Sequence, residues 1–263
     1  MPTKKVLLFI SILIAAFSFA VYLVLRPAAF IYCQNELNLK AVQFGVKGKD
    51  ANDKFPFKAG ESIEYGVKMN FLTIGRANLS YQGIAVERNT RAINIAFLAD
   101  VVNFNDLEKI YADLETFNPL WVIRKIDFFN RKELINEDYA RKANSVTITK
   151  YKNEKVVSVK DLFSDAPFQH VISSIYYCRK LKNLEVGTKF SLNLPLSKLV
   201  LEVKRIVDIK VPYGKFKAFY IESVPNKYRI WLSVDEKRLP LKVEGAISFS
   251  PASLVMTKYK EGL

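Results

Sequence analysis

The sequence predicts a mostly β fold: a strongly curved antiparallel sheet or partial barrel of about a dozen strands, with one amphipathic helix packed on the concave face. Three observations predict it. From Phe55 onward, apolar and polar residues alternate in short runs. Glycines and prolines fall between those runs or at bends within them, where they end or bend strands. A single long segment abandons period two for helical spacing.

The strand pattern can be followed in order. Ile63, Tyr65, Val67 and Met69 alternate with Glu64, Gly66, Lys68 and Asn70. Ile93, Ile95 and Phe97 repeat the pattern, as do Val146 with Ile148, and Leu199, Leu201 and Val203. Phe216, Ala218 and Tyr220, then Tyr228, Ile230 and Leu232, continue it. Alternation places one face on a core and the other in water. Asp113 to Pro119 reads as a strand-connecting turn, and Arg238-Leu239-Pro240 as another, before a last hairpin from Leu241 to Tyr259. The helical segment opens on Ser164-Asp165 as a cap with Pro167 in its first turn. Val171, Ile172, Ile175, Tyr176, Cys178 and Leu181 then form an apolar stripe, with Arg179, Lys180 and Lys182 near the end and Gly187 as the stop. This predicts a helix of about four turns that covers one face of the sheet. Weaker helical signals span Asn105 to Tyr111 and Asn35 to Gln43.

Three regions follow: residues 1–26, a signal peptide or membrane anchor; 27–54, a tether; and 55–263, the β-rich domain. Lys4 and Lys5 precede Val6–Leu25, a run without charge. As a helix it would rise roughly 30 Å, about the thickness of a bilayer's hydrocarbon core. Ser18-Phe19-Ala20 could serve as a cleavage site. Cutting there would leave Val21 to Leu25 exposed, which favours an uncleaved anchor. Lys4 and Lys5 would stay in the cytoplasm, with the domain outside it. The expected location is therefore a cell envelope: membrane-anchored with the domain outside the cytoplasm, or periplasmic if the leader is cut.

The chain carries 40 Lys+Arg against 26 Asp+Glu, a net charge of +14. A basic surface attracts anionic lipid, acidic glycan or nucleic acid, but basic residues here are dispersed, and nucleic acid is not expected across a membrane. The two cysteines, Cys33 and Cys178, could pair in an oxidising compartment, or remain separate thiols. One histidine, His170, excludes a His-rich metal centre. No metal site and no cofactor is implied.

The search for chemistry is correspondingly thin. The sequence contains no G-x-S-x-G, P-loop, G-x-G-x-x-G or H-E-x-x-H. Glu61 with Glu64, Glu137 with Asp138, Asp161 with Asp165, and Asp235 with Glu236 are carboxylate pairs. Most fall at turns or strand ends, where solvated or hydrogen-bonded carboxylates are expected. No catalytic residue is assigned. The aromatic content, 13 Tyr and 19 Phe with Trp121 and Trp231, is more suggestive. Trp121, Phe128, Tyr176, Phe219 and Trp231 are candidates to line an apolar cavity, but core packing explains the same residues with no ligand at all and is the favoured reading.

An ordered set of blocks resembles a known family. They are Gly60-Glu61 with Tyr65; Ile74-Gly75; Tyr111-Ala112-Asp113 through Thr116 and Pro119-Leu120; Ile175-Tyr176-Tyr177 with Arg179; Gly187; and Trp231-Leu232-Ser233 with Asp235, Arg238, Leu239-Pro240 and Lys242. Across roughly Phe55 to Tyr259 they resemble the bacterial exported family called domain of unknown function 3108, with Cys178 standing where an aliphatic residue is expected. The resemblance implies an envelope protein rich in antiparallel strands. It implies no activity and no functional residue.

The expected function is a non-enzymatic envelope module, attached to the membrane through its amino end and holding a lipid or other apolar ligand in the concavity. The alternative is an assembly protein that pairs with an envelope partner through its sheet edges. A hydrolase is the third possibility. A filled concavity with an exposed apolar edge would favour the second.

Overall fold

The computed structural model describes residues 55–245 and 252–263, all of which lie within one compact unit, Val46–Leu263. The leader, the tether, the short helix expected around Asn35 and the cysteine at position 33 lie outside the described residues.

The strands are β1 (Glu61–Met69), β2 (Leu72–Glu87), β3 (Thr90–Val101), β4 (Phe104–Ala112), β5 (Pro119–Phe128), β6 (Arg131–Ala140), β7 (Ser145–Lys152), β8 (Lys155–Phe163), β9 (Lys189–Leu194), β10 (Ser197–Val211), β11 (Gly214–Val224), β12 (Arg229–Ser233), β13 (Pro240–Glu244) and β14 (Ala252–Lys260). One helix, α1 (Val171–Lys180), separates β8 from β9. All fourteen strands form one antiparallel sheet, in the order β8-β7-β6-β5-β4-β3-β2-β1-β14-β13-β12-β11-β10-β9. The chain enters at mid-sheet. It meanders outward to one edge, crosses by way of α1 to the other edge, and meanders back until β14 pairs with β1.

Curvature follows from reach. Nine strand spacings separate β4 from β9 in this order, about 43 Å on a flat sheet at 4.8 Å each. The helix has ten residues and so spans about 15 Å. Yet its cap, His170, meets Glu108 of β4, and Gln169 just before it exchanges two hydrogen bonds with Asn193 of β9, at 2.8 and 2.7 Å. The sheet must therefore curl around the helix. Tight approach assists: a Cβ on Gly75 would stand 2.3 Å from the Asp100 carbonyl oxygen, so β2 and β3 close up there only because the residue is glycine.

The core lies inside the curl. Ile63, Tyr65 and Val67 of β1, Ile93 and Ile95 of β3, Val203 of β10, Ile221 of β11 and Met256 of β14 are each at most 1 % exposed. Ile172, Ile175, Tyr176 and Cys178 of α1 join the same cluster. The fold class predicted from sequence is the one observed, with fourteen strands among the described residues.

Two local expectations are corrected. Asn105 to Tyr111 is strand β4, not helix: Phe104, Asp106, Glu108 and Ile110 share the inner face and are all buried, a period of two that the mixed polarity disguised. The helix is also shorter than four turns. Residues 167–169 stay outside the helix, where Gln169 pairs with Asn193, so the cap is His170 rather than Ser164 or Asp165. Ser164 instead accepts from the Asn193 amide at 2.9 Å, and Asp165 pairs with Lys198. The Asp113 turn is as expected: Asp113 Oδ1 accepts from the amides of Glu115 and Thr116 and from the Thr116 hydroxyl.

Candidate functional site

Two polar networks sit where α1 meets the sheet. In the first, Arg179 of α1 lies against Glu61 of β1, both side chains fully buried. The guanidinium donates to the carboxylate at 2.5 and 2.8 Å, and twice to the Lys237 carbonyl at 3.2 Å. Tyr259 donates to the same carboxylate at 3.1 Å. Phe57 and Tyr176 stack on the guanidinium at 4.9 and 5.1 Å. Burial works against the Arg179 charge, but the Glu61 carboxylate outweighs it and holds the pKa above its ordinary value. Tyr65 donates to the Pro240 carbonyl at 2.9 Å, and burial drives its pKa upward. Glu61 thus departs from the expected solvated carboxylate: it is the counterion that lets Arg179 enter the core.

The second network closes the space between the helix cap and β4–β6. Arg124 bridges Asp106, at 2.9 and 2.5 Å, and Glu108, at 3.0 Å. Glu108 also faces His170 Nε2 at 3.4 Å, while His170 Nδ1 accepts from the Ile172 amide at 3.3 Å. Tyr139 donates to Glu137 at 2.5 Å. Burial raises the Asp106 pKa. Burial also works to raise that of Glu108, but His170 and Arg124 outweigh it and hold Glu108 low. The acidic and basic groups here are spent on one another and on the helix cap, which suits positioning rather than proton transfer.

The five aromatic candidates do not converge. Tyr176 and Phe219 belong to the main core, with Trp231 packed at its margin. Trp231 lies beside Tyr220 at 5.1 Å and under Lys242 at 4.6 Å. Trp121 sits in a separate cluster with Ala92, Tyr111 and Leu120, stacked on Tyr111 at 4.8 Å beneath the Arg88 guanidinium. Phe128 is 45 % exposed at a hairpin end. Cys178 is buried, its thiol pushed up to about 12 by desolvation; Cys33, its candidate partner, lies outside the described residues.

The concavity is largely filled. A recess of only about 10 Å³, room for roughly one water, lies between Val171, Ile175 and Cys178 of α1 and Leu192, Leu201 and Ile230 of the sheet. Ligand cavities usually run from about 300 to 1,000 Å³. None of the five aromatic candidates lines it.

The two sheet edges differ. On β9, Asn193 is occupied by residues 164–169, whose Ser164, Ala166, Pro167 and Gln169 all contact it. On β8, Val156, Val157 and Val159 are 54, 55 and 57 % exposed, and Phe163 76 %. Lys155 and Lys160 flank the valines. Among the described residues, β8 pairs with β7 on one side only. The sequence does signal this strand, as Lys-Val-Val-Ser-Val-Lys, but nothing in it says that the strand ends the sheet.

The family model "Protein of unknown function (DUF3108)" matches residues 63–257. The described residues form a curled antiparallel β fold with one helix packed inside the sheet. The protein belongs to the DUF3108 family. No curated protein sequence matches it. Among solved structures, it is similar to a β-barrel-like protein of domain of unknown function DUF1849 from Brucella abortus, with 11 % identity and a TM-score of 0.48, covering 78 % of this chain and 98 % of that one. It is also similar to a putative exported protein with a YmcC-like fold from Bacteroides fragilis, with 8 % identity and a TM-score of 0.28, covering 79 % and 98 %.

Proposed function

We propose that this protein is a non-enzymatic binding module of the cell envelope that takes an extended segment of a partner protein onto β8. The observation that carries the proposal is the bare, valine-rich edge, whose outward backbone groups have no strand beyond them among the described residues. Such an edge is a template for strand addition. Lys155 and Lys160 on β8, with Lys150 and Lys152 on β7, disfavour a second copy and favour a segment that alternates acidic and apolar residues. The uncharged run Val6–Leu25 supports an envelope location. A lipid held in the concavity has less support, because the recess beside α1 is small and α1 fills the rest.

Site-specific photocrosslinking in the native host tests the edge. A benzophenone amino acid at Val157 should yield one protein adduct, lost when Val159→Asp places an acid on the strand. A probe at exposed Lys217 on β11 should not yield it. No adduct at Val157, or one indifferent to Val159→Asp, would overturn the proposal.

A further inference from the structure

A different part of the sheet carries its own signal. In a meander, alternate hairpins emerge at the same end, so the β1–β2, β3–β4 and β5–β6 turns form one rim. Each is a two-residue turn: Asn70-Phe71, Val102-Asn103 and Phe129-Asn130. Backbone hydrogen bonds stitch neighbouring hairpins together, from Val102 N to Ile74 O at 3.3 Å and from Phe129 N to Asn103 O at 2.9 Å. Phe71 is 87 % exposed, Phe129 61 %, Leu72 50 %, Phe128 45 % and Met69 36 %. Burial in the core does not explain these side chains. Phe129 adds a second oddity. Its φ is +50°, in the left-handed region where turns favour Gly, Asn or Asp. A bulky ring has thus been placed at a strained position, largely exposed and edge-on to Phe128 at 4.7 Å. Lys68, Arg131 and Lys132 stand just behind the tips, where Asp100 and Asp127 are the acids at the same level of the ladder.

We propose that this rim seats on an anionic lipid bilayer, with Phe71 and Phe129 entering the headgroup–acyl boundary and Lys68, Arg131 and Lys132 meeting lipid phosphates. Alternate hairpins lie about 10 Å apart, two strand spacings. Separate protruding apolar points with cations behind them suit a fluid, negatively charged plane, the same division of labour that holds interfacial helices and aromatic belts at membranes. The inference does not depend on the β8 edge, which lies at the side of the sheet.

The test uses the full chain reconstituted in vesicles with brominated acyl chains, made from phosphatidylcholine with or without phosphatidylglycerol. Phe71→Trp and Phe129→Trp each add a fluorophore to the background of Trp121 and Trp231. In vesicles containing phosphatidylglycerol, the added fluorescence should shift to the blue and be mostly quenched by bromine. Lys142→Trp, at the opposite end of the sheet, should stay unquenched. Equal quenching in neutral vesicles would overturn the anionic assignment. A blue shift without quenching would point to a protein on the rim and overturn the membrane reading, as would no change at either position. Quenching of Lys142→Trp to the same degree would show that the contact is not confined to the rim, and would overturn it too.

Discussion

One sheet contains two different environments. Strands β1–β4 and β9–β14 curl around α1 and bury their inner face; β6, β7 and β8 continue the same hydrogen-bonded ladder as a wing in which Val146 is the single buried residue. The ladder is continuous, so backbone pairing alone does not decide what is core. Burial does, and burial depends on whether the strand has the helix or a facing strand opposite it. The wing is therefore surplus to folding the closed part. Surplus ordered surface is where a binding module would carry its function.

The sharpest way to break this comparison is at the helix. Arg179→Ala would leave Glu61 buried without a counterion, a change that costs about 3–5 kcal/mol. Urea denaturation of the variant should show a large fall in midpoint. The double variant Glu61→Gln/Arg179→Met should recover most of the loss, since no isolated charge then remains. If Arg179→Ala were nearly silent, the helix would not be what holds the curl. A neighbouring test is Ile95→Ala, on fully buried β3, which should cost about 2–5 kcal/mol through lost contacts and a cavity.

How much of this was legible in the sequence follows the same division. The strands of the closed part were readable because a buried face imposes period two: Ile63, Tyr65 and Val67, or Ile93, Ile95 and Phe97, could hardly be anything else. The strand β4 was misread because Asp106 and Glu108 occupy inward positions, and their partners Arg124 and His170 come from β5 and the helix cap. Gly60-Glu61 and Arg179 stood out as family blocks, but they are 118 residues apart and no spacing rule joins them. The aromatic candidates scattered because side-chain type says nothing about which face of a strand it occupies or how the sheet curls. The bare edge is a property of topology, and topology was the least readable feature.

The second polar network gives a smaller, pH-dependent test. Burial works to lower the His170 pKa, but the hydrogen bond and charge of Glu108 outweigh it and move it above its ordinary 6.5. A group whose pKa rises on folding adds stability that is fully present below the unfolded value, and that contribution is lost as pH rises through the folded one. Protonation also gives up the bond from the Ile172 amide to Nδ1, but at 3.3 Å that bond is long, so the ion pair decides the sign. His170→Asn retains a capping side chain and removes the titration. Its stability deficit should be greatest at acid pH, and should shrink on going from about pH 6 to pH 8. A deficit that grew over that interval would mean that Glu108 does not govern His170.

The smallest expected effect does most to sharpen the comparison. Val159 is an apolar residue in a regular strand, paired across the ladder with Thr149. Strand propensity alone would make Val159→Ala a costly change, as β-branched residues suit strands. The wing argument says otherwise: with Val159 57 % exposed, little apolar surface is buried, and the stability change should fall within about 0.5 kcal/mol, as for ordinary surface positions. Chemical denaturation of Val159→Ala beside Ile95→Ala makes the measurement. Comparable losses would mean that the wing belongs to the folding core after all, and would take away the argument that its exposed edge exists for a partner.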